Sequence, residues 1–294
     1  MIRVGVAGWS YADWKGRVYP RTSDKSFHPL EYLANFFGCI EINSSFYALP
    51  KIEFVREWAR RVAAFPDFRF AVKLHRDFTH GRFDGQQATS FHRTLAPLEE
   101  AGKLGAVLAQ FHQDFADGPS QRAQLLRIAE LFGNLPLVLE LRHRSWFQNS
   151  TLDFLESEHF NLAHIDMPPS ATVVPRVKAR DKLPYFVGPL GYLRLHGRNT
   201  ANWYDPEKGR DDKYDWMYSR EDAAVFADYA RHLSQAGGDT YVVTNNHFAG
   251  KAVVNGLELL SELTAGPVSG PAEIVATYPQ LGDIVIPRGQ GTLF

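Results

Sequence analysis

"YLRLHGR", residues 192–198, is the stretch that indicates the fold. Side chains of a β-strand alternate between two faces, so Arg194 and His196 share one face. Leu193 and Leu195 share the other. Because polar and charged groups are costly to bury in an apolar core, this strand predicts a sheet with an apolar outer face and a polar interior.

Similar stretches recur along the chain, mostly separated by segments with apolar residues at helical spacing. Eight of them are predicted strands: 2–8, 39–45, 68–75, 106–111, 137–143, 162–167, 192–198 and 240–246. Eight strands that alternate with helices predict an α/β fold, a (β/α)8 barrel of the TIM type. In such a barrel the outer strand faces contact helices and the inner faces line the lumen.

Two segments depart from this regular pattern. Residues 168–190 contain five prolines and no helical periodicity, so the sixth βα unit is predicted to be irregular. From residue 266 onward the chain is rich in glycine and proline, which predicts a flexible C-terminal tail. The predicted organisation is therefore a single barrel domain over 1–265 followed by a tail over 266–294.

The composition limits the possible partners. The 294 residues are 45% hydrophobic and 22% charged, with a net charge of −1, so overall charge provides no attraction to nucleic acid or an anionic membrane. No stretch approaches the about 20 apolar residues that span a bilayer, and no leader is recognisable, so we expect a cytoplasmic protein without a membrane partner. Cys39 is the only cysteine and is predicted to be a small core residue.

Polar residues occupy the predicted inner faces near the C-terminal ends of the strands, the end at which barrels of this class carry their active sites. The candidate catalytic residues are Glu41, Lys73, Glu140, Asp166 and His196. The candidate substrate-binding residues are Trp9, Asn43, Tyr47, His75, Gln110, Arg142, Arg194, Arg198, Asn245 and Asn246. We expect these side chains to converge in one pocket at the mouth of the barrel.

Two interpretations of this polar ring are open. Its three acids and three bases balance, so they could form a buried ion-pair network with a structural role alone. Apolar residues would fill a barrel at lower cost, however, and convergent charges in a barrel mouth favour a functional pocket. Arginines suit phosphate or carboxylate groups. Carboxylates and imidazoles could also bind a divalent metal, but the sequence lacks metal-binding motifs and the nearby cations would compete, so no metal is predicted and the cofactor is unknown.

Several stretches make the sequence resemble the YecE-like family, a prokaryotic family classed as a domain of unknown function. They are GWSYADWKG (8–16), EINSSFYALP (41–50), FAVKLHRDFTH (70–80), LELRHRSWF (139–147), RLHGR (194–198) and TNNHFAGKAVVNG (244–256). The resemblance implies a (β/α)8 barrel and implies no particular reaction. From the polar pocket at the barrel mouth we expect an enzyme, hydrolase-like or isomerase-like, that acts on a small anionic or nucleotide-like substrate.

The C-terminal peptide QGTLF (290–294) supports an alternative. It resembles the short peptides by which bacterial proteins dock on the DNA sliding clamp. Leu293 and Phe294 would fill an apolar pocket and Gln290 would fix the orientation. The alternative function is a non-catalytic binding protein of nucleic-acid metabolism that is recruited through this tail.

Overall fold

The computed structural model describes residues 1–173 and 187–289 of the chain. Its strands are β1 (Ile2–Ala7), β2 (Cys39–Ile42), β3 (Arg69–Lys73), β4 (Leu104–Gln110), β5 (Leu137–Glu140), β6 (Asn161–Leu162), β7 (His164–Asp166), β8 (Gly191–Leu195), β9 (Thr240–Thr244), β10 (Val268–Pro271) and β11 (Val285–Arg288). The first nine form one parallel sheet in the order β6-β5-β4-β3-β2-β1-β9-β8-β7.

The two edges of this sheet belong to a single stretch of chain. β6 pairs with β5, β7 pairs with β8, and only Ala163 separates β6 from β7. The sheet therefore closes on itself, with the interrupted sixth strand as the seam. This confirms the predicted TIM-type barrel, and every predicted strand is present.

Helices surround the barrel. They are α1 (Pro29–Ala34), α2 (Ile52–Arg61), α3 (Arg76–His80), α4 (Gly85–Glu100), α5 (Pro119–Phe132), α6 (Asn149–Ser157), α7 (Thr200–Trp203), α8 (Arg210–Lys213), α9 (Arg220–Ala236), α10 (Lys251–Thr264) and α11 (Ala272–Thr277). Short 3₁₀ turns occupy Ala12–Trp14, Ser44–Phe46, Arg144–Phe147, Phe248–Gly250 and Pro279–Leu281. The connection after β7 contains no helix in its described parts, residues 167–173 and 187–190, as its prolines predict.

Apolar side chains pack on both sides of the barrel wall. Leu193 and Leu195 of β8 face outward and pack with Phe226 and Leu233 of α9. A separate cluster of mostly small side chains fills the middle of the lumen: Ala7, Cys39, Ala71, Ala106, Leu108, Val138, Ala163, Tyr192, Tyr241 and Val243. The lumen is therefore closed in its middle, and the polar residues lie above this layer, toward the C-terminal strand ends.

The segment predicted to be a flexible tail is folded through Arg288. β10 and β11 pair in parallel, and α11 lies between them in the chain. Ile274 and Leu281 are fully buried in the same core as α10. The expectation of a flexible tail is therefore wrong for residues 268–288, because apolar residues among the glycines and prolines pack against the barrel.

A close approach of β1 and β2 gives a first testable prediction. A Cβ atom at Gly5 would lie 1.8 Å from the carbonyl oxygen of Cys39, so Gly5→Ala requires the two strands to separate. We expect this substitution to lower the free energy of unfolding by about 1–3 kcal/mol. Urea denaturation measures the loss. Gly85→Ala is the matched control, because no atom lies within 4 Å of a Cβ there; an equal loss in both variants would contradict the prediction.

Candidate functional site

Arg194 is the centre of a hydrogen-bonded cluster in the lumen. Its guanidinium donates to both carboxylate oxygens of Glu41, at 2.8 and 2.6 Å, and to Glu140 at 2.7 Å. It also donates to the side-chain oxygens of Gln110 at 3.0 Å and Asn43 at 3.4 Å. Burial opposes the charge on Arg194, but the two carboxylates outweigh burial and raise its pKa well above the usual value.

Glu140 joins Arg194 to a second arginine. Its Oε1 accepts a hydrogen bond from Nε of Arg142 at 2.8 Å and forms an ion pair with Nη2 of the same guanidinium at 2.6 Å. Burial alone would raise the pKa of Glu140, but the guanidinium groups of Arg194 and Arg142 hold it well below its usual value. Glu140 is therefore ionised near neutral pH, and it orients Arg142 at the upper edge of the lumen.

Lys73, the last residue of β3, is the remaining cation of the lumen. Its side chain is 8% exposed, and Nζ lies 3.8 Å from the ring centroid of Phe46. Within the described residues Nζ has no hydrogen bond and no carboxylate at ion-pair distance. Burial, and next the positive charge of Arg194, lower the pKa of Lys73 to about 7, while Glu140 and Glu41 raise it. A substantial fraction of the amine is therefore neutral at physiological pH.

His196 is fully buried beside Glu140. Its Nδ1 lies 3.0 Å from Nδ2 of Asn245, and its Nε2 lies 3.5 Å from Oε1 of Glu140. Among the described residues Nε2 has no hydrogen-bond partner of acceptable geometry. Burial, followed by the charge of Arg194, lowers the pKa of His196 to about 4. The imidazole is therefore neutral at pH 7 and can exchange hydrogen bonds without carrying charge.

Aromatic rings cover this side of the lumen. The ring centroids of Trp203 and Tyr214 lie 5.7 and 6.2 Å from that of His196. Next to them, Tyr11 stacks on His247 with 4.5 Å between the centroids. These rings come from the loops after β1, β8 and β9, so the mouth has an aromatic wall above a charged floor.

Asp166 and Arg198 lie on the opposite side of the barrel wall. Asp166 pairs in register with Leu195, whose side chain faces the helices. Its carboxylate accepts hydrogen bonds from Arg198, at 2.8 and 2.9 Å, and from the hydroxyl of Tyr218 at 2.8 Å. Arg198 also pairs with Asp222 of α9. The prediction that Asp166 and Arg198 belong to the pocket is therefore wrong.

Asp166 faces outward because apolar residues occupy the inner face of the sixth predicted strand, which is β6 and β7 in the structure. Ala163 belongs to the group of small apolar side chains in the middle of the lumen. Ile165 pairs in register with Arg194, whose side chain points inward. The apolar residues of this strand thus fill the lumen, and its polar residues face outward. His164 confirms the arrangement, since its Nδ1 lies 2.8 Å from the hydroxyl of Tyr229 of α9.

Two other expected pocket residues also lie outside the lumen. Nδ2 of Asn246 donates to the carbonyl of Trp216 and to Oδ1 of Asn255 in α10. Trp9 packs edge-on against Trp58 of α2, with 5.3 Å between the ring centroids. Both residues follow the last paired residue of their strand, so strand alternation does not determine their direction.

Tyr47 and His75 lie at the rim. Tyr47 is 69% exposed, and its carbonyl oxygen lies 3.3 Å from Nε2 of His75. Nδ1 of His75 accepts a hydrogen bond from the backbone N–H of Asp77, so this histidine caps α3. Neither side chain contacts the carboxylates at the centre of the lumen.

Three residues that were not predicted as catalytic or substrate-binding residues complete the site. The hydroxyl of Tyr192 donates to Glu41 at 2.8 Å, Phe46 covers Lys73, and Tyr214 lies beside His196. Tyr192 shares a strand face with Arg194, so the alternation of YLRLHGR already contained this signal. Tyr214 comes from the long aromatic loop after β8, whose path the sequence does not specify.

The charge of the lumen follows from these positions. We name five side chains the lumen cluster: Glu41, Lys73, Glu140, Arg142 and Arg194. With Asp166 outside, the cluster contains three basic groups and two carboxylates instead of a balanced set. Lys73 is the basic group that no carboxylate of the described residues pairs.

The described residues give no metal-binding arrangement of three or more His, Cys, Asp and Glu side chains. In the same residues, no helix is both long enough and apolar enough to cross a membrane.

The outer position of Asp166 gives a second testable prediction. Asp166→Asn removes one of the two charge partners of Arg198 and weakens the hydrogen bond from Tyr218, so we expect the free energy of unfolding to fall by about 1–3 kcal/mol. The matched control is Asp228→Asn, which breaks an exposed pair with Arg231 on α9 and should change stability by less than about 0.5 kcal/mol. Chemical denaturation of both variants compares them, and an Asp166→Asn protein as stable as the wild type would refute the assigned role.

Comparison with known proteins places the chain in a family. The family model described as "Protein of unknown function DUF72" matches residues 3–274. The UPF0759 protein YunF of Bacillus subtilis is 29% identical over 279 residues, which cover 90% of this chain and 95% of that protein. The UPF0759 protein YecE of Escherichia coli K12 is 31% identical over 151 residues, half of each chain.

Solved structures agree with this assignment. A DUF72 family protein from Thermotoga maritima has a TM-score of 0.76 at 29% identity, over 90% of this chain and 99% of that one. A DUF72 family protein from Enterococcus faecalis has a TM-score of 0.76 at 28% identity, over 90% and 96% of the two chains. The barrel is thus common to all three, and the chain belongs to the DUF72 family of proteins of unknown function.

Proposed function

We propose that this protein is an enzyme that acts on a small anionic substrate bound above the lumen cluster. The observation that carries the proposal is the charge of that cluster. Two carboxylates are shared between two arginines, and within residues 1–173 and 187–289 Lys73 remains as a third basic group without a carboxylate partner. An ion-pair network with a purely structural role would be expected to neutralise itself, whereas a site for an anion keeps a cation available.

The residues have distinct roles in this proposal. Arg142, 13% exposed in its side chain, binds the anionic group of the substrate, and Glu140 holds its guanidinium in place. Lys73 acts on the reacting atoms, because an amine with a pKa of about 7 can accept or donate a proton at physiological pH. Proton transfer of this kind serves hydrolysis and isomerisation alike. The aromatic wall of the mouth suits a planar group such as a nucleobase.

Calorimetric titration with inorganic phosphate, oxalate and a nucleoside monophosphate tests the proposal. We expect at least one anion to bind the wild type, and Arg142→Met to bind it about tenfold more weakly or worse, as the loss of a charged hydrogen bond implies. Asp166→Asn should bind as the wild type does. Absence of binding for all three anions, or equal affinity in wild type and Arg142→Met, would overturn the proposal.

A second candidate function is recruitment to the DNA sliding clamp through QGTLF (290–294). These residues lie outside the described part of the chain. The preceding strand β11 ends at the surface, with Ile286 49% exposed. Titration of the chain against a bacterial sliding clamp tests this function, with Leu293→Ala plus Phe294→Ala as the control. Equal binding by the double variant, or none by the wild type, would exclude it.

A further inference from the structure

We propose that the substrate is a small anionic aldehyde or ketone, such as a 2-oxo acid, and that Lys73 holds it as a covalent imine. This inference rests on the proposed function and deepens it, since it names the chemical class of the substrate and the bond that retains it. It requires an accessible amine, an anion-binding group close to that amine, and surroundings in which the amine is neutral.

The amine of Lys73 differs from those of the other shielded lysines. Nζ of Lys103 donates to the carbonyl oxygens of Phe65 and Pro66, and Nζ of Lys251 pairs with Asp215. Lys73 has neither kind of partner in the described chain, and its Nζ lies instead over the face of the Phe46 ring. Its nitrogen therefore keeps its lone pair, when deprotonated, available for a bond to carbon.

An anion-binding group accompanies the amine. β4 alone separates β3, which ends at Lys73, from β5, which ends two residues before Arg142, so the two side chains follow nearby strand ends at the same mouth of the barrel. Nε and Nη2 of Arg142 bind Glu140, whereas Nη1 makes no hydrogen bond within the described residues. A carboxylate one bond away from a carbonyl carbon can thus bind Nη1 while the carbonyl carbon lies near Nζ of Lys73.

The surroundings of Lys73 favour the neutral amine. Burial, and next Arg194, bring its pKa to about 7, so about half of the amine is neutral at neutral pH. An exposed lysine with a pKa of about 10.4 has on the order of a thousandfold less neutral amine at that pH. Desolvation beside another cation is a known way to make a lysine nucleophilic.

The covalent step balances with water as the only other participant. The lone pair of Nζ forms a bond to the carbonyl carbon, the carbon–oxygen π bond breaks, and a proton moves from nitrogen to oxygen through water. A further proton from the solvent then converts the hydroxyl into a leaving water molecule, and the protonated imine remains. Glu140 is paired with two guanidinium groups, so it stays ionised and stabilises this positive charge instead of donating a proton.

Reductive trapping on the full-length protein tests the inference. The wild type is incubated with glyoxylate and sodium cyanoborohydride at about pH 7, where the amine is half neutral. Hydride addition to the imine carbon leaves a carboxymethyl group on the lysine, which peptide mass mapping locates. We expect Lys73 to be labelled at least about tenfold more than any other lysine, as its larger neutral fraction implies. The matched control is Lys251→Met, which removes another partly buried lysine and should leave the labelling of Lys73 unchanged.

A second variant tests the anionic part of the substrate. Arg142→Met should reduce labelling of Lys73 by glyoxylate about tenfold, as the loss of one charged hydrogen bond implies, and should reduce labelling by acetaldehyde much less. Equal reduction with both carbonyl compounds would show that Arg142 acts on the amine and not on the carboxylate, which overturns the assignment of a 2-oxo acid.

The outcomes separate this inference from the proposed function. Labelling that follows surface exposure, with Lys73 no more modified than exposed lysines, overturns the imine. If glyoxylate still binds in calorimetry and Arg142→Met weakens it, the anion site stands without the covalent step. If glyoxylate neither binds nor labels Lys73, and phosphate, oxalate and the nucleoside monophosphate also fail to bind, both proposals fall.

Discussion

Replacing Arg194 by methionine will lower the free energy of unfolding by about 3–5 kcal/mol, the largest effect that we expect from a single substitution in this chain. The reason is that Arg194 is the sole guanidinium bound to Glu41 in the described residues and one of two bound to Glu140. Its removal leaves Glu41 as a fully buried carboxylate whose only hydrogen-bond donor among the described residues is the hydroxyl of Tyr192. Urea denaturation near neutral pH measures the loss.

Two further variants identify the cause of that loss. Arg142→Met should cost far less, because Glu140 keeps Arg194 and the Arg142 side chain is partly exposed. Adding Glu41→Gln to Arg194→Met should restore part of the stability, because it removes the unpaired charge. If the double variant is as unstable as the sum of its single variants, the loss comes from packing and the electrostatic explanation is contradicted.

Replacing Lys73 by methionine should weaken anion binding while it stabilises the fold. At about pH 6 the folded protein must carry a buried ammonium beside Arg194, and replacing buried charges by apolar groups of similar size stabilises proteins by about 1–4 kcal/mol. Folding lowers the pKa of Lys73 from 10.5 to about 7, so its ammonium group destabilises the folded state. This destabilisation is complete below pH 7 and decreases as the pH rises toward 10.5. The advantage of Lys73→Met should therefore shrink with rising pH.

Urea denaturation of both proteins at several pH values checks the sign, and calorimetry with the best-bound anion checks the loss of binding. Lys103→Met is the matched control, because the amine of Lys103 donates to two backbone carbonyl oxygens. Its replacement should destabilise the protein, since those acceptors lose their donor. A Lys73→Met protein that is less stable than the wild type, and still binds the anion, would assign Lys73 a structural role.

The sequence was sufficient to predict the barrel and most of the lumen cluster. In β2, β3, β5 and β8 the polar and apolar residues alternate without ambiguity, so the face of each side chain follows from strand geometry alone. That geometry correctly placed Glu41, Lys73, Glu140 and Arg194 on the inner face. Their convergence follows because parallel strands of a closed barrel end at the same mouth.

The same rule failed at the sixth strand because it assumed that polar residues always face inward. Tyr229 and Tyr218 reach the outer face from α9 and the loop before it, and they provide hydrogen bonds for His164 and Asp166 there. Those partners are more than 50 residues away in the sequence. A strand pattern contains no information about which distant groups will satisfy a buried polar side chain.

Local sequence thus determined the strands, their alternation and the end of the barrel at which the charged groups lie. Only the tertiary structure decided how those charges divide between the two sides of the barrel wall, and therefore that the lumen cluster, as the described residues form it, has one more basic group than carboxylates. It also decided that the chain after residue 266 folds through Arg288. The physical reason is that alternation follows from the covalent geometry of each strand, whereas the net charge of a site and the packing of a terminal segment depend on contacts between residues far apart in the chain.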